Sequence, residues 1–179
     1  MTIRQARLTL SIFALAVAPL GAGLHPDLVL VLPEAYIEQQ LPQSHPSCYY
    51  MYANRLFREG KREDAVFWCY VGQLRFRFHL LANPNIDPSG DPALYASLDD
   101  SVGGTINKYA GGNIKELLKT IDRALEWDEA TPNEFTSKQK FAAVYEQNRT
   151  GLRKLRDYFE SQAEAIREKR KKAGLENRS

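Results

Sequence analysis

The sequence predicts an all-α fold: a helical bundle with one repeat-like hairpin and a long C-terminal helix. Two observations carry this expectation. Apolar residues recur at three- and four-residue spacing through several segments, most clearly at Ile114, Leu117, Leu118, Ile121 and Leu125. Proline, glycine, asparagine and aspartate stand at the ends of those segments, where helices start and stop. At 179 residues the chain suits one domain large enough to bury a core.

The elements follow in order. His25 to Pro33 is a brief apolar run that suits a strand or an extended arm. Pro33 fits a first helical position, and the residues after it give about two turns. Pro46 opens a helix that Gly60 ends. Lys61 to Ala82 is the most apolar helix, with Val66, Phe67, Tyr70, Val71, Leu74, Phe78 and Leu81 along one broad side. Residues 83–90, dense in turn formers, make a loop. Asp91 caps the next helix with Pro92 at its first position; Gly103 and Gly104 interrupt it, and Gly111 and Gly112 close it. Asn113 and Glu116 resemble a capping box. The last helix is expected to begin at Thr136, with Gln139 as capping partner, and to run past Lys172. Its apolar seam follows two rows at seven-residue spacing: Tyr145, Leu152, Phe159, Ile166, and the weaker Phe141, Asn148, Leu155, Gln162.

Residues 1–23 read as an export leader. Arg4 and Arg7 give a basic start, Leu8 to Leu20 carries no charge, and Gly21, Ala22 and Gly23 supply small residues for a peptidase. Cleavage is expected after Gly23, because a cut after Ala18 would leave Pro19 just past the bond. The uncharged run is shorter than the ~20 residues a membrane helix needs, so no stable membrane span is expected after cleavage. The expected location is periplasmic or secreted, and the expected mature domain is 24–179.

Losing the leader takes the formal charge from +2 to zero. From Gly151 onward, nine Lys or Arg face five Asp or Glu, so the basic surplus collects at the C-terminus and the body is acidic. A neutral mature chain does not point to nucleic acid. The basic end, from about residue 167, is expected to project into solvent as a frayed helix tip that complements its own dipole. In an oxidising compartment Cys48 and Cys69 are a candidate disulfide, with two buried free thiols as the alternative.

Ala53, Leu56, Phe57 and Gly60 precede Ala65, Trp68 and Gly72. Gly60 lets the chain reverse, Ala53, Ala65 and Gly72 let two helix backbones approach, and Phe57 and Trp68 fill the space beside the contact. This pattern resembles one Sel1-like or tetratricopeptide-type repeat, over about 30 residues. There is no second copy, so a hairpin inside a bundle is expected rather than a solenoid. The longer string AVFWCYVGQLRFR, with DPSGDPALYASL, INKYAGG and TIDRALEWD after it, is similar to small, uncharacterised bacterial secreted proteins. Small exported helical proteins of this kind also resemble, by analogy only, immunity proteins that block a toxin delivered by a neighbouring cell.

No catalytic motif stands out. His25, His45 and His79 are far apart in sequence and begin no metal-ligand pattern, so no metal site is expected. No nucleophile elbow, phosphate loop or dinucleotide fingerprint occurs, so no catalytic residue and no cofactor is expected. Asp122, Glu126 and Glu129 read as a charged, solvated face. Arg75 and Arg77 point about 200° apart on a helix. They are candidate partner contacts, although one of them is expected to pair with an acid on a neighbouring helix. Three functions remain: a non-enzymatic periplasmic protein-binding protein, in the sharpest form an immunity protein whose acidic body faces a basic toxin; an envelope adaptor using the hairpin; or an unrecognised enzyme. The expected partner is thus a toxin or an envelope protein.

Overall fold

The computed structural model describes residues 23–178, all helix, turn and loop with no strand among them. The expected leader lies outside the described residues except for Gly23. The helices are α1 (Glu34–Gln40), α2 (Ser47–Arg58), α3 (Arg62–Ala82), α4 (Asp91–Leu98), α5 (Gly104–Ala110), α6 (Ile114–Ala130), α7 (Ala142–Ser161) and α8 (Ala163–Lys172). None is long and apolar enough to cross a membrane.

α3 is the axis of the bundle. Every residue from Ala65 to Gly72 is buried, because α2 packs on one side of it and α5, α6 and α7 cover the others. A helix apolar on nearly all sides has to be enclosed in this way. Leu81 departs from the expected apolar side; near the end of α3 it is 45% exposed. α2 and α3 form a hairpin whose reversal falls at Gly60, with φ +86°. A Cβ on Gly72 would lie 2.8 Å from the Tyr49 Cβ, so only glycine lets the two backbones approach this closely. Ala53 and Ala65 are buried in the same hairpin, Trp68 is buried, and Phe57 is partly buried against Tyr109, 5.7 Å away between ring centroids. Tyr49, Tyr52, Phe67 and Trp127 surround Trp68, with Trp127 edge-on at 5.2 Å. Each large side chain buried here contributes roughly 1.5–3 kcal/mol.

Several local expectations are corrected. The apolar run after His25 is a 3₁₀ turn, Pro26–Leu30, capped by the His25 ring. Gly103 and Gly104 do not break their helix: a π-helical segment, Asp99–Gly103, carries α4 into α5. The expected single C-terminal helix is two: α7 begins at Ala142 rather than Thr136 and stops at Ser161, and α8 follows after a turn at Gln162. Asn133 accepts the Thr136 N–H at 3.1 Å and the Ser137 hydroxyl accepts the Lys140 N–H at 3.2 Å, so these residues spend their amides on turns. Asn113 does cap α6, accepting the Glu116 N–H at 3.1 Å.

The basic end is docked through Arg170 and Arg178, while Arg167, Lys169, Lys171 and Lys172 stay exposed. Arg170 donates to the Lys108 carbonyl at 2.9 Å and to the Glu176 carbonyl at 2.7 Å. The Arg178 guanidinium lies 3.4 Å over the Tyr109 ring and pairs with Glu63 at 3.1 Å. Free carbonyls at the end of α5 and an aromatic face recruit these cations, so residues 173–178 fold back onto the bundle.

Candidate functional site

Three features gather the polar chemistry: a histidine–aspartate cluster, a buried charge network, and a surface groove.

The cluster is built from three separate elements. His45 sits two residues before α2, His79 lies in the last turn of α3, and Asp91 is the first residue of α4. The loop 83–90 returns the chain so that Asp91 meets both rings. His79 Nε2 stands 3.0 Å from Asp91 Oδ2, and His45 Nε2 stands 3.3 Å from Asp91 Oδ1. On the other ring edges, His45 Nδ1 is 2.7 Å from the Ser47 hydroxyl and His79 Nδ1 is 3.0 Å from the Thr136 hydroxyl. Phe135 packs on both rings with centroids at 5.0 Å, and Phe76 meets His45 edge-on at 5.3 Å.

Burial holds the His79 pKa below its ordinary value, with Asp91 only partly compensating. Burial opposes ionisation of Asp91 too, but the hydrogen bonds from His45 and His79 outweigh it and keep the carboxyl below its ordinary range. The absence of local ligand spacing set these histidines apart in the sequence, whereas the fold brings two of the three together; His25 stays at the exposed N-terminal turn beside Asp27. The missed signal was a pair: a histidine on an otherwise apolar stretch of helix, and an aspartate at a helix start that reads as a cap. Asp91 caps nothing with its side chain, because both carboxylate oxygens are engaged by the histidines.

The charge network closes the C-terminal end of α6. Arg75 Nε lies 2.6 Å from Asp128 Oδ1, and Arg149 Nη1 lies 3.2 Å from Asp128 Oδ2, all three residues buried. Arg75 also donates to the carbonyls of Thr131 and Pro132 at 3.0 and 2.9 Å. Lys138 donates to the carbonyls of Asp128 and Thr131, and Arg149 donates to that of Leu125. Three cations thus satisfy the orphan carbonyls and the negative end of the helix dipole. Desolvation lowers the Lys138 pKa to about 8, only partly opposed by Asp128. Arg75 is 2% exposed, so it is corrected as a partner contact: its guanidinium is spent on Asp128 and on the end of α6. Arg77 is exposed.

The candidate disulfide is corrected as well. Cys48 and Cys69 are free and buried. The Cys48 thiol donates to the Leu24 carbonyl at 3.3 Å, while Cys69 is on the side of Asp99 and Tyr50. Burial pushes both thiols up to about 12.

Two adjoining depressions, of about 530 and 370 Å³, share Gly111 and Ile114 and form one groove between the start of α6 and the α7–α8 arm. Tyr70, Leu117, Leu155, Phe159 and Ile166 line its apolar part, with Tyr158 exposed at the edge. Six cations and three glutamates line the groove, so it is net basic; Lys115, Arg167 and Lys169 are exposed and enter no ion pair among the described residues, and neither does Glu164.

Compared with protein-family models, with curated proteins and with solved structures, the chain matches none.

Proposed function

We propose that the chain is a non-enzymatic, protein-binding protein of the cell envelope, and in its sharpest form an immunity protein that occupies and blocks a toxin. The observation that carries this reading is the groove. Its apolar lining, exposed aromatic edge and net basic rim suit an acidic segment that places one apolar side chain on Leu155 and Phe159. The recognition face therefore has the opposite sign from the body as a whole, and its complement is an acidic stretch of the partner rather than a basic one. The leader-like first residues support an envelope setting for this encounter.

Co-purification with the product of the adjacent gene tests the reading, together with survival of cells that export that product. Tyr158→Ala and Lys169→Glu alter exposed groove positions and should weaken binding at least about tenfold, with helix content unchanged. Lack of binding and of protection by the unaltered protein would reject the function. Binding that ignores both substitutions would move the contact away from the groove.

A further inference from the structure

We propose that His45, His79 and Asp91 bind one divalent transition-metal ion, zinc being the ion this donor set suits. Two imidazoles and one carboxylate are ligands zinc accepts, and three protein ligands leave a fourth position for water. The donor atoms all lie within 4.8 Å of one another. Each ring faces its own Asp91 oxygen, at 3.0 Å from His79 and 3.3 Å from His45, near the roughly 3.3 Å between neighbouring donors in a tetrahedral zinc site. The His45 and Asp91 side chains keep 24% and 30% exposure, which gives the ion a way in from solvent. One oxygen of Asp91, at the start of α4, lies within 4.8 Å of a ring nitrogen of each histidine.

The surroundings supply an outer shell. Ser47 and Thr136 present hydroxyls to the Nδ1 atoms, and the Phe76 and Phe135 rings fix the imidazole planes. The Ser47 N–H also points at His45 Nδ1 at 3.2 Å, and the Asn83 carboxamide nitrogen is 3.3 Å from His79 Nδ1. Each ring therefore keeps its proton on Nε2, shared with Asp91. Metal uptake moves that proton to Nδ1, where the hydroxyls accept it, and frees Nε2 for the ion. The exchange releases no proton while the rings are neutral, and it releases protons once acid has charged them. Opposition from the Ser47 amide and Asn83 tempers the affinity. Once bound, the ion ties the starts of α2 and α4 to the end of α3.

Calorimetric titration of the tag-free, chelator-treated full chain with zinc chloride tests this, alongside cobalt(II) absorption spectra. The expected result is one ion per chain, a cobalt spectrum typical of tetrahedral nitrogen–oxygen ligation, and no thiolate charge-transfer band. His79→Gln and Asp91→Asn should each weaken binding beyond the roughly 10–100-fold typical of an outer-shell loss, while His25→Gln leaves it unchanged. Asp91→Asn keeps the side-chain shape at a partly exposed position, so it reports even if His79→Gln fails to fold. No uptake by the unaltered protein, equal uptake by the Asp91→Asn variant, or a thiolate band would overturn the proposal.

Discussion

Arg75 Nε and Asp128 Oδ1 stand 2.6 Å apart with both side chains almost wholly removed from solvent. The pair joins the middle of α3 to the end of α6, and Arg149 takes the second carboxylate oxygen from α7. Asp128→Ala would leave two buried guanidinium groups without their counter-charge. Breaking such a pair from one side typically costs about 3–5 kcal/mol. Urea unfolding of Asp128→Ala should show that loss. Glu129→Ala, which removes one of the two exposed partners of Arg149, should cost no more than about 1 kcal/mol. Equal losses for the two would contradict the network as described.

Lys138 predicts a dependence on pH. Its folded pKa is lowered from 10.5 to about 8, mainly by desolvation. Below about 8 the amine is charged in both states and the burial penalty is fully present. Between about 8 and 10.5 the unfolded chain holds the proton that the folded chain has released, so stability should rise with pH through this window. Lys138→Met removes the titration. The difference in unfolding free energy between the unaltered chain and this variant should therefore change in favour of the unaltered chain as pH rises. A difference that stays flat from pH 7 upward would show that the amine is not desolvated.

Two glycines in helices should respond in opposite directions. Gly72→Ala forces a Cβ within 2.8 Å of Tyr49 Cβ, a neighbour that cannot swing away, and overpacking of this kind costs about 1–3 kcal/mol. Gly151 lies inside α7 with open space around its missing Cβ. Gly151→Ala should stabilise by about 0.5–1 kcal/mol through helix propensity. Thermal unfolding of the two variants checks both signs.

The cysteines give a counting test. The unreduced protein, unfolded in concentrated guanidinium, should release two thiols to an aromatic disulfide reagent. In the folded protein both should react slowly, since burial removes access and suppresses the thiolate. Finding no thiols after unfolding would restore the bridge between Cys48 and Cys69.

Most of the helices were legible because their evidence is local. The spacing of Leu117, Ile121 and Leu125 marks the buried face of α6. Asn113 marks its start, and Gly60 and Gly72 mark the turn and the closest approach of the α2–α3 hairpin. α7 starts later than the sequence predicts because Asn133 and Ser137 turn the chain with side-chain hydrogen bonds that compete with helix. The docking of Arg170 could not be read from REKRKK, since a basic run looks the same free in water or bound to a helix-end carbonyl.

By itself, then, the sequence determined an all-helical chain, the enclosure of its most apolar helix, and the glycine-dependent hairpin. These depend on periodicity, propensity and backbone freedom among near neighbours. Only the tertiary structure decided that Arg75 would be buried on Asp128, that the two thiols would point to different neighbours, and that His45, His79 and Asp91 would meet. Charge pairing and ligand geometry are relations in space between distant parts of the chain, and sequence spacing holds no measure of those distances until the helices have packed.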